Sequence, residues 1–200
     1  MTVNTHEPAI GRAVQQKPRI LRRNLASLPL GGRHNNAADS AAQTHKPELE
    51  GELTVSYTNL LLHVVFGTKG RLPLLNESLE PQMHSYLGGI VRNLGGTAFE
   101  INGIEDHVHL LVKVPPTIAV SDFLRKLKSS SSKWANENFR GRFAWQRRYG
   151  AFSVSASMFE QVRKYIRRQK EHHRRFDFKT EMEELVRASG LELDPNFWRD

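Results

Sequence analysis

The segment from Asp106 to Val114 places two histidines one residue apart within an otherwise largely apolar run. Side chains of a β-strand alternate between the two faces of its sheet, so His107 and His109 share one face, with their Cα atoms about 7 Å apart. Val108, Leu110 and Val112 belong to the other face. The pattern predicts a strand that packs its apolar face against helices and leaves its histidine face open. Two imidazoles at this spacing can reach one divalent metal ion.

Residues 159–175 contain no glycine or proline and consist mostly of good helix formers, which predicts a helix. Tyr165 and Gln169 are four residues apart, so on a helix they are neighbours on one face. A phenol and an amide oxygen are therefore presented together. His172 and His173 follow one turn later, where a contact with phosphate and an exposed polar helix end explain them equally well.

The chain has 29 lysines and arginines against 21 aspartates and glutamates, a formal net charge of +8, which indicates an anionic partner. Much of this excess flanks Tyr165 on the predicted helix. A charged run is often only a solvated helix face, but here it would hold phosphates beside the tyrosine hydroxyl. Seven basic side chains are the predicted contacts: Arg163, Lys164, Arg167, Arg168, Lys170, Arg174 and Arg175.

The chain has no cysteine, which excludes disulfides, thiolate metal ligands and thiol nucleophiles. It also has no apolar run as long as the roughly 18 residues of a membrane span, and its N-terminus has no apolar core of a secretion signal. No glycine-rich loop of the kind that binds nucleotide phosphates is present. We therefore expect a cytoplasmic protein with no membrane partner and no nucleotide cofactor.

Residues 1–53 differ from the rest of the chain in composition. They contain several prolines, a glycine pair and an Ala/Ser/Asn-rich stretch, without sustained periodicity. We predict a disordered or poorly ordered leader over residues 1–53 and a folded domain over residues 54–200.

Within the domain, hydrophobic periodicity predicts alternating strands and helices. The predicted strands lie near 55–66, 97–104, 107–114 and within 143–154, and the predicted helices lie near 77–94, 120–138, 157–175 and 180–189. This order indicates an α+β sandwich of the ferredoxin-like or RRM-like type with an antiparallel sheet. We expect one face of the sheet to be covered by helices, the other face to be open, and the tyrosine helix to lie near the C-terminus.

Several separated motifs, in this order, resemble the insertion-sequence tyrosine transposases of the HUH nuclease superfamily. They are the opening strand at 57–69, the first helix at 87–91, the histidine strand, the strand at 145–154 and the helical Tyr-x-x-x-Gln of Tyr165 and Gln169. The resemblance extends from about residue 54 to the end of the chain. It covers the IS200-like transposases, including their repeat-associated branch.

The resemblance implies a DNA transposase that cuts and rejoins single-stranded DNA through a 5′-phosphotyrosine on Tyr165. His107, His109 and the side-chain oxygen of Gln169 would bind Mg²⁺ or Mn²⁺, which acts as a Lewis acid. The seven basic residues would bind DNA. The resemblance also implies a homodimer, a hairpin-forming DNA partner, and association with the nucleoid when DNA is bound.

Three other functions compete with this one. A catalytically inactive or domesticated relative that only binds hairpins stays open. An RRM-like RNA-binding module would need stacking aromatics on its two central strands, where this chain has histidines. A two-histidine phosphoesterase would need His-x-Thr or His-x-Ser in both halves of the chain, and neither half has one. We also expect His63 to line the core or the active site, and Asp106 to serve the turn before its strand.

Overall fold

A computed structural model of the chain describes residues 57–199. The predicted leader, residues 1–53, and the predicted domain boundary at residue 54 lie outside the described residues and stay predictions. The described part contains a four-stranded antiparallel sheet with the strand order β2-β3-β1-β4. The strands are β1, Leu61–Gly67; β2, Thr97–Ile104; β3, His107–Lys113; and β4, Gly150–Ser153.

Helices follow the strands in the order that the sequence predicts, which confirms the α+β sandwich. They are α1, Glu80–Asn93; α2, Val120–Asn138; α3, Phe159–Arg167; α4, Gln169–His172; and α5, Phe178–Ala188. Among residues 57–199, none of these helices is long and apolar enough to cross a membrane.

The first face of the sheet packs against α1 and α2. Val108, Leu110 and Val112 of β3 point to this face and are fully buried, as their alternation predicts. Burying one such side chain contributes about 1.5–3 kcal/mol. Other residues of the same core are Phe66, Met83, Leu87, Phe123, Leu124 and Leu127.

The second face of the sheet is also covered, contrary to the expectation of an open face. Val65 of β1 is buried there in an apolar cluster with Phe178, Met182 and Val186 of α5. These three residues recur every four positions and form one stripe of the helix. Because Val65 offers this stripe an apolar surface, α5 docks beside the histidines and buries them.

The predicted helix over residues 157–175 is divided into α3 and α4. Arg168, between them, has the non-helical angles φ −98° and ψ 16°. The amide nitrogen of Asn102, on β2, donates to the carbonyl oxygens of Ile166 and Arg167 at 2.9 and 3.0 Å. A helix end leaves such carbonyls without a helical partner. Asn102 therefore anchors the C-terminal end of α3 to the sheet.

Candidate active site

Three histidines and one glutamate converge on the second face of the sheet. The Nε2 atoms of His107, His109 and His173 lie 3.5, 3.2 and 3.1 Å from Oε2 of Glu181. The ligand atoms of the four residues all lie within 4.8 Å of one another. Two of the residues come from β3, one follows α4 and one lies on α5. This group can hold a metal ion.

Two of these imidazoles are fixed through their other nitrogen. Nδ1 of His107 lies 2.7 Å from a carboxylate oxygen of Asp106, and Nδ1 of His173 lies 2.8 Å from the carbonyl oxygen of Phe176. Both oxygens are acceptors, so each Nδ1–H donates and a neutral ring keeps its lone pair on Nε2. Asp106 therefore lies in the turn that the sequence predicts and also orients a histidine.

His63 fixes the third imidazole. Its Nε2 lies 2.9 Å from Nδ1 of His109, and the two rings are stacked with centroids 5.2 Å apart. Burial lowers the pKa of His63 to about 3 and that of His109 to about 4, so both rings are neutral near pH 7. Because the carboxylate of Glu181 accepts, Nε2–H of His109 donates to it at 3.2 Å, and Nδ1 of His109 accepts from Nε2–H of His63. His63 thus lines the site, as expected from the sequence.

Glu181 joins the histidines to the predicted nucleophile. Its Oε1 accepts hydrogen bonds from the hydroxyl of Tyr165 and, at 2.9 Å, from the amide nitrogen of Gln169. Although burial by itself would raise the pKa of Glu181, the surrounding histidines hold it well below its usual range, so the carboxylate is ionised. Burial, and then the charge of Glu181, raise the pKa of Tyr165. The phenol therefore keeps its proton in this arrangement.

The model of the family described as "Transposase IS200 like" matches residues 56–169, more than half of the chain. The chain belongs to the IS200-like transposase family. The matched residues include the histidine strand, Tyr165 and Gln169, and the assignment confirms the resemblance that the sequence motifs show.

Curated relatives of this transposase are themselves transposases. Over 133 residues it is 29% identical to the transposase for insertion sequence element IS200 of Salmonella typhimurium, covering 61% of this chain and 84% of the relative. Over 114 residues it is 27% identical to the ISDra2 transposase TnpA of Deinococcus radiodurans, covering 54% of this chain and 81% of that one.

Two solved structures are also similar to this transposase. A putative transposase from Deinococcus radiodurans R1 is 25% identical, with a TM-score of 0.48 and coverage of 57% of this chain and 93% of that chain. A REP-associated tyrosine transposase bound to a REP hairpin is 14% identical, with a TM-score of 0.47 and coverage of 61% and 73%.

The basic residues of the transposase have two kinds of surroundings. Arg163 and Arg167 bind the carboxylate of Glu100, on β2, at 3.2 and 2.6 Å, and Lys170 binds Glu80, on α1, at 2.9 Å. These three cations therefore hold α3 and α4 against the rest of the fold. Arg167 and Lys170 are nevertheless exposed, as are the other four predicted DNA contacts: Lys164, Arg168, Arg174 and Arg175.

The structure brings Gln169 to the site, but with its amide nitrogen toward Glu181. Its Oε1 is buried and has no hydrogen-bond partner among the described residues. A half-turn of the amide would exchange the two atoms and turn the oxygen toward the carboxylate. The role of Gln169 as a metal ligand through its oxygen stays a prediction.

Sequence reasoning missed Glu181 and left the role of His173 undecided. Glu181 lies three residues after Phe178 and one before Met182, so it falls on the apolar stripe of α5 and is buried. A carboxylate on the apolar side of a short helix is a signal that could have found it. Phe178 stacks flat on the ring of His107, with centroids 4.1 Å apart, and thereby sets the position of α5.

Proposed function

We propose that this transposase cuts and rejoins single-stranded DNA by metal-assisted transesterification, with Tyr165 as the nucleophile. One observation carries the proposal. The tyrosine hydroxyl and three imidazole Nε2 atoms meet at the two oxygens of a single buried carboxylate, Glu181. Membership of a transposase family supports the reaction class.

The cleavage step forms one bond to phosphorus and breaks another. The Tyr165 oxygen attacks the phosphate while the bond from phosphorus to the 3′ oxygen breaks. The phenolic proton is released to solvent, while Glu181 holds the hydroxyl in place through the hydrogen bond that it accepts. The leaving 3′ oxygen takes a proton from solvent and becomes a 3′ hydroxyl. Because the phosphotyrosine keeps the bond energy, a 3′ hydroxyl can reverse the step on another strand without a nucleotide cofactor.

The residues present fit a divalent metal ion. His107 and His109, with Gln169 as the predicted third ligand, would hold Mg²⁺ or Mn²⁺. Nε2 of His107 is a buried polar atom without a hydrogen-bond partner among the described residues, and a cation would satisfy it. Oε1 of Gln169 is likewise without a partner there, and it turns toward Glu181 when the amide rotates by a half-turn. When bound, the ion would act as a Lewis acid on the scissile phosphate. Imidazole nitrogens suit Mn²⁺ better than Mg²⁺, which prefers oxygen ligands.

The exposed cations near Tyr165 support an anionic substrate. Lys164 and Arg168 flank the nucleophile in sequence, and Arg174 and Arg175 follow α4. Such side chains bind phosphates and release counterions, so binding should weaken as salt rises. We infer that the substrate is a single strand that forms a hairpin and that the protein acts as a homodimer, as the family resemblance implies.

Denaturing gel electrophoresis of a labelled hairpin strand with Mn²⁺ or Mg²⁺ tests the proposal. The wild type should form a protease-sensitive, protein-linked species that disappears with a chelator. Tyr165→Phe should form none. Tyr86→Phe is the matched control, since Tyr86 stacks on Trp134 outside the site, with ring centroids 4.5 Å apart, and should behave as wild type.

Two results would contradict the proposal. A linked species that persists in Tyr165→Phe would remove this residue as the nucleophile. Hairpins that the wild type shifts but never cuts, across a broad panel, would favour the inactive or domesticated hairpin-binding relative.

A further inference from the structure

We propose that Glu181 is itself a metal ligand and that His173 joins His107 and His109 as a third imidazole ligand. The inference rests on the proposed metal-dependent function. It adds two ligands to the set that the family resemblance implies, which is His107, His109 and Gln169. Both added residues lie beyond the residues 56–169 that the family model matches. The metal centre of this chain would then depend on α5.

The spacing of the donor atoms fits a single ion. With metal–ligand bonds of about 2.1 Å, neighbouring donors lie about 3.0 Å apart in an octahedral site and about 3.4 Å apart in a tetrahedral one. Oε2 of Glu181 lies 3.1 to 3.5 Å from the three Nε2 atoms. Oε2 thus lies about as far from each Nε2 atom as neighbouring ligands of one ion would, and all four ligand atoms lie within 4.8 Å of one another.

Hydrogen bonds orient two of these rings and leave a donor atom for an ion. Nδ1 of His107 faces a carboxylate and Nδ1 of His173 faces a carbonyl, so the Nε2 atom of each ring is turned toward Oε2 of Glu181. Nε2 of His107 is buried and has no hydrogen-bond partner among the described residues. One cation between the Nε2 atoms and the carboxylate oxygen would bind all of them.

The two oxygens of the Glu181 carboxylate have different partners. Through them α5 contacts both the histidines and the predicted nucleophile. Oε2 faces the three imidazoles, whereas Oε1 accepts from Tyr165 and Gln169. A metal bound at Oε2 would be separated from the nucleophile by a single carboxylate group. Gln169 remains available as a further ligand, and the added residues do not replace it.

Calorimetric titration of the full chain with Mn²⁺, in the absence of DNA, tests the ligand set. Glu181→Gln and His173→Gln should each weaken Mn²⁺ binding at least about tenfold, because even residues outside the first ligand shell change affinity by that much. Glu183→Gln is the matched control, with the same change on the same helix at an exposed position. It should bind Mn²⁺ as the wild type does.

Thermal unfolding without metal shows whether each variant is folded, and added Mn²⁺ should raise the melting temperature of wild type and Glu183→Gln only. If Glu181→Gln does not fold, His173→Gln decides the test. The inference is overturned if the wild type binds no Mn²⁺, or if both variants bind it with wild-type affinity while His107→Gln does not. Faster cleavage by Glu181→Gln at unchanged Mn²⁺ affinity would also overturn it, since the carboxylate would then only obstruct the site.

Failure of the proposed function gives a different result. Tyr165→Phe should bind Mn²⁺ with wild-type affinity, because its hydroxyl is not in the ligand set. If the wild type binds Mn²⁺ through these ligands yet never forms a protein-linked strand, the ligand set stands and the transesterification fails.

Discussion

The two faces of the sheet use the same strands but bury opposite kinds of side chain. On one face Val108, Leu110 and Val112 pack among apolar residues of α1 and α2. On the other, His107 and His109 are equally buried, and three of their four ring nitrogens have hydrogen-bond partners, the exception being Nε2 of His107. A buried polar group without a partner costs about 1–3 kcal/mol. Because side chains alternate along β3, one residue packs in the apolar core and the next lies in the histidine site.

Leu110→Ala should have the largest effect, and the effect should be on the free energy of unfolding alone. Removing a fully buried leucine leaves a cavity and lowers the free energy of unfolding by about 2–5 kcal/mol. Urea unfolding measures this loss. Mn²⁺ titration of the protein that remains folded should give wild-type affinity, since Leu110 points away from the histidines. A matching loss of Mn²⁺ affinity would show that the two faces are not separable.

Asp106→Ala should have an intermediate effect, confined to the histidine face. The variant removes the acceptor that fixes the ring of His107, so Mn²⁺ affinity should fall about 10- to 100-fold. Glu105→Ala, at the exposed neighbouring position of the same turn, is the control and should leave the affinity unchanged. If both variants bind Mn²⁺ equally well, Asp106 serves only the turn.

The smallest effect is expected from removing exposed positive charges. DNA binding should weaken only when the removed charges lie near Tyr165. The double variant Lys164→Gln, Arg168→Gln should weaken binding of single-stranded DNA. It should also reduce the slope of log affinity against log salt by about 0.7 for each phosphate that the protein no longer neutralises. Lys126→Gln with Lys133→Gln, on exposed positions of α2, is the matched control. An equal change of slope in both would mean that DNA binding is not localised near Tyr165.

The sequence predicted the apolar face of the sheet correctly because alternation is a local property. Val108, Leu110 and Val112 show it within seven residues, and their burial follows from it. The second face was wrongly expected to be open. Its cover depends on Val65 meeting Phe178, and no local pattern reveals a contact between residues so distant in the chain.

The candidate site was predictable in part for the same reason. The four-residue spacing of Tyr165 and Gln169 placed them together, and both do contact one carboxylate, although the helix breaks between them. Glu181 escaped notice because its helix reads as an ordinary amphipathic segment near the end of the chain. Only the three-dimensional fold shows that its acid faces histidines rather than solvent.

The long separation between β3 and α5 along the chain has a consequence for the timing of synthesis. His109 and Glu181 are 72 residues apart in sequence. At about 5–20 residues per second, a ribosome needs roughly 4–14 s to add that segment. During this interval the nascent polypeptide already contains its histidine strand but lacks the carboxylate beside it. Under the proposed mechanism, the nascent polypeptide has no complete site until α5 has been synthesised.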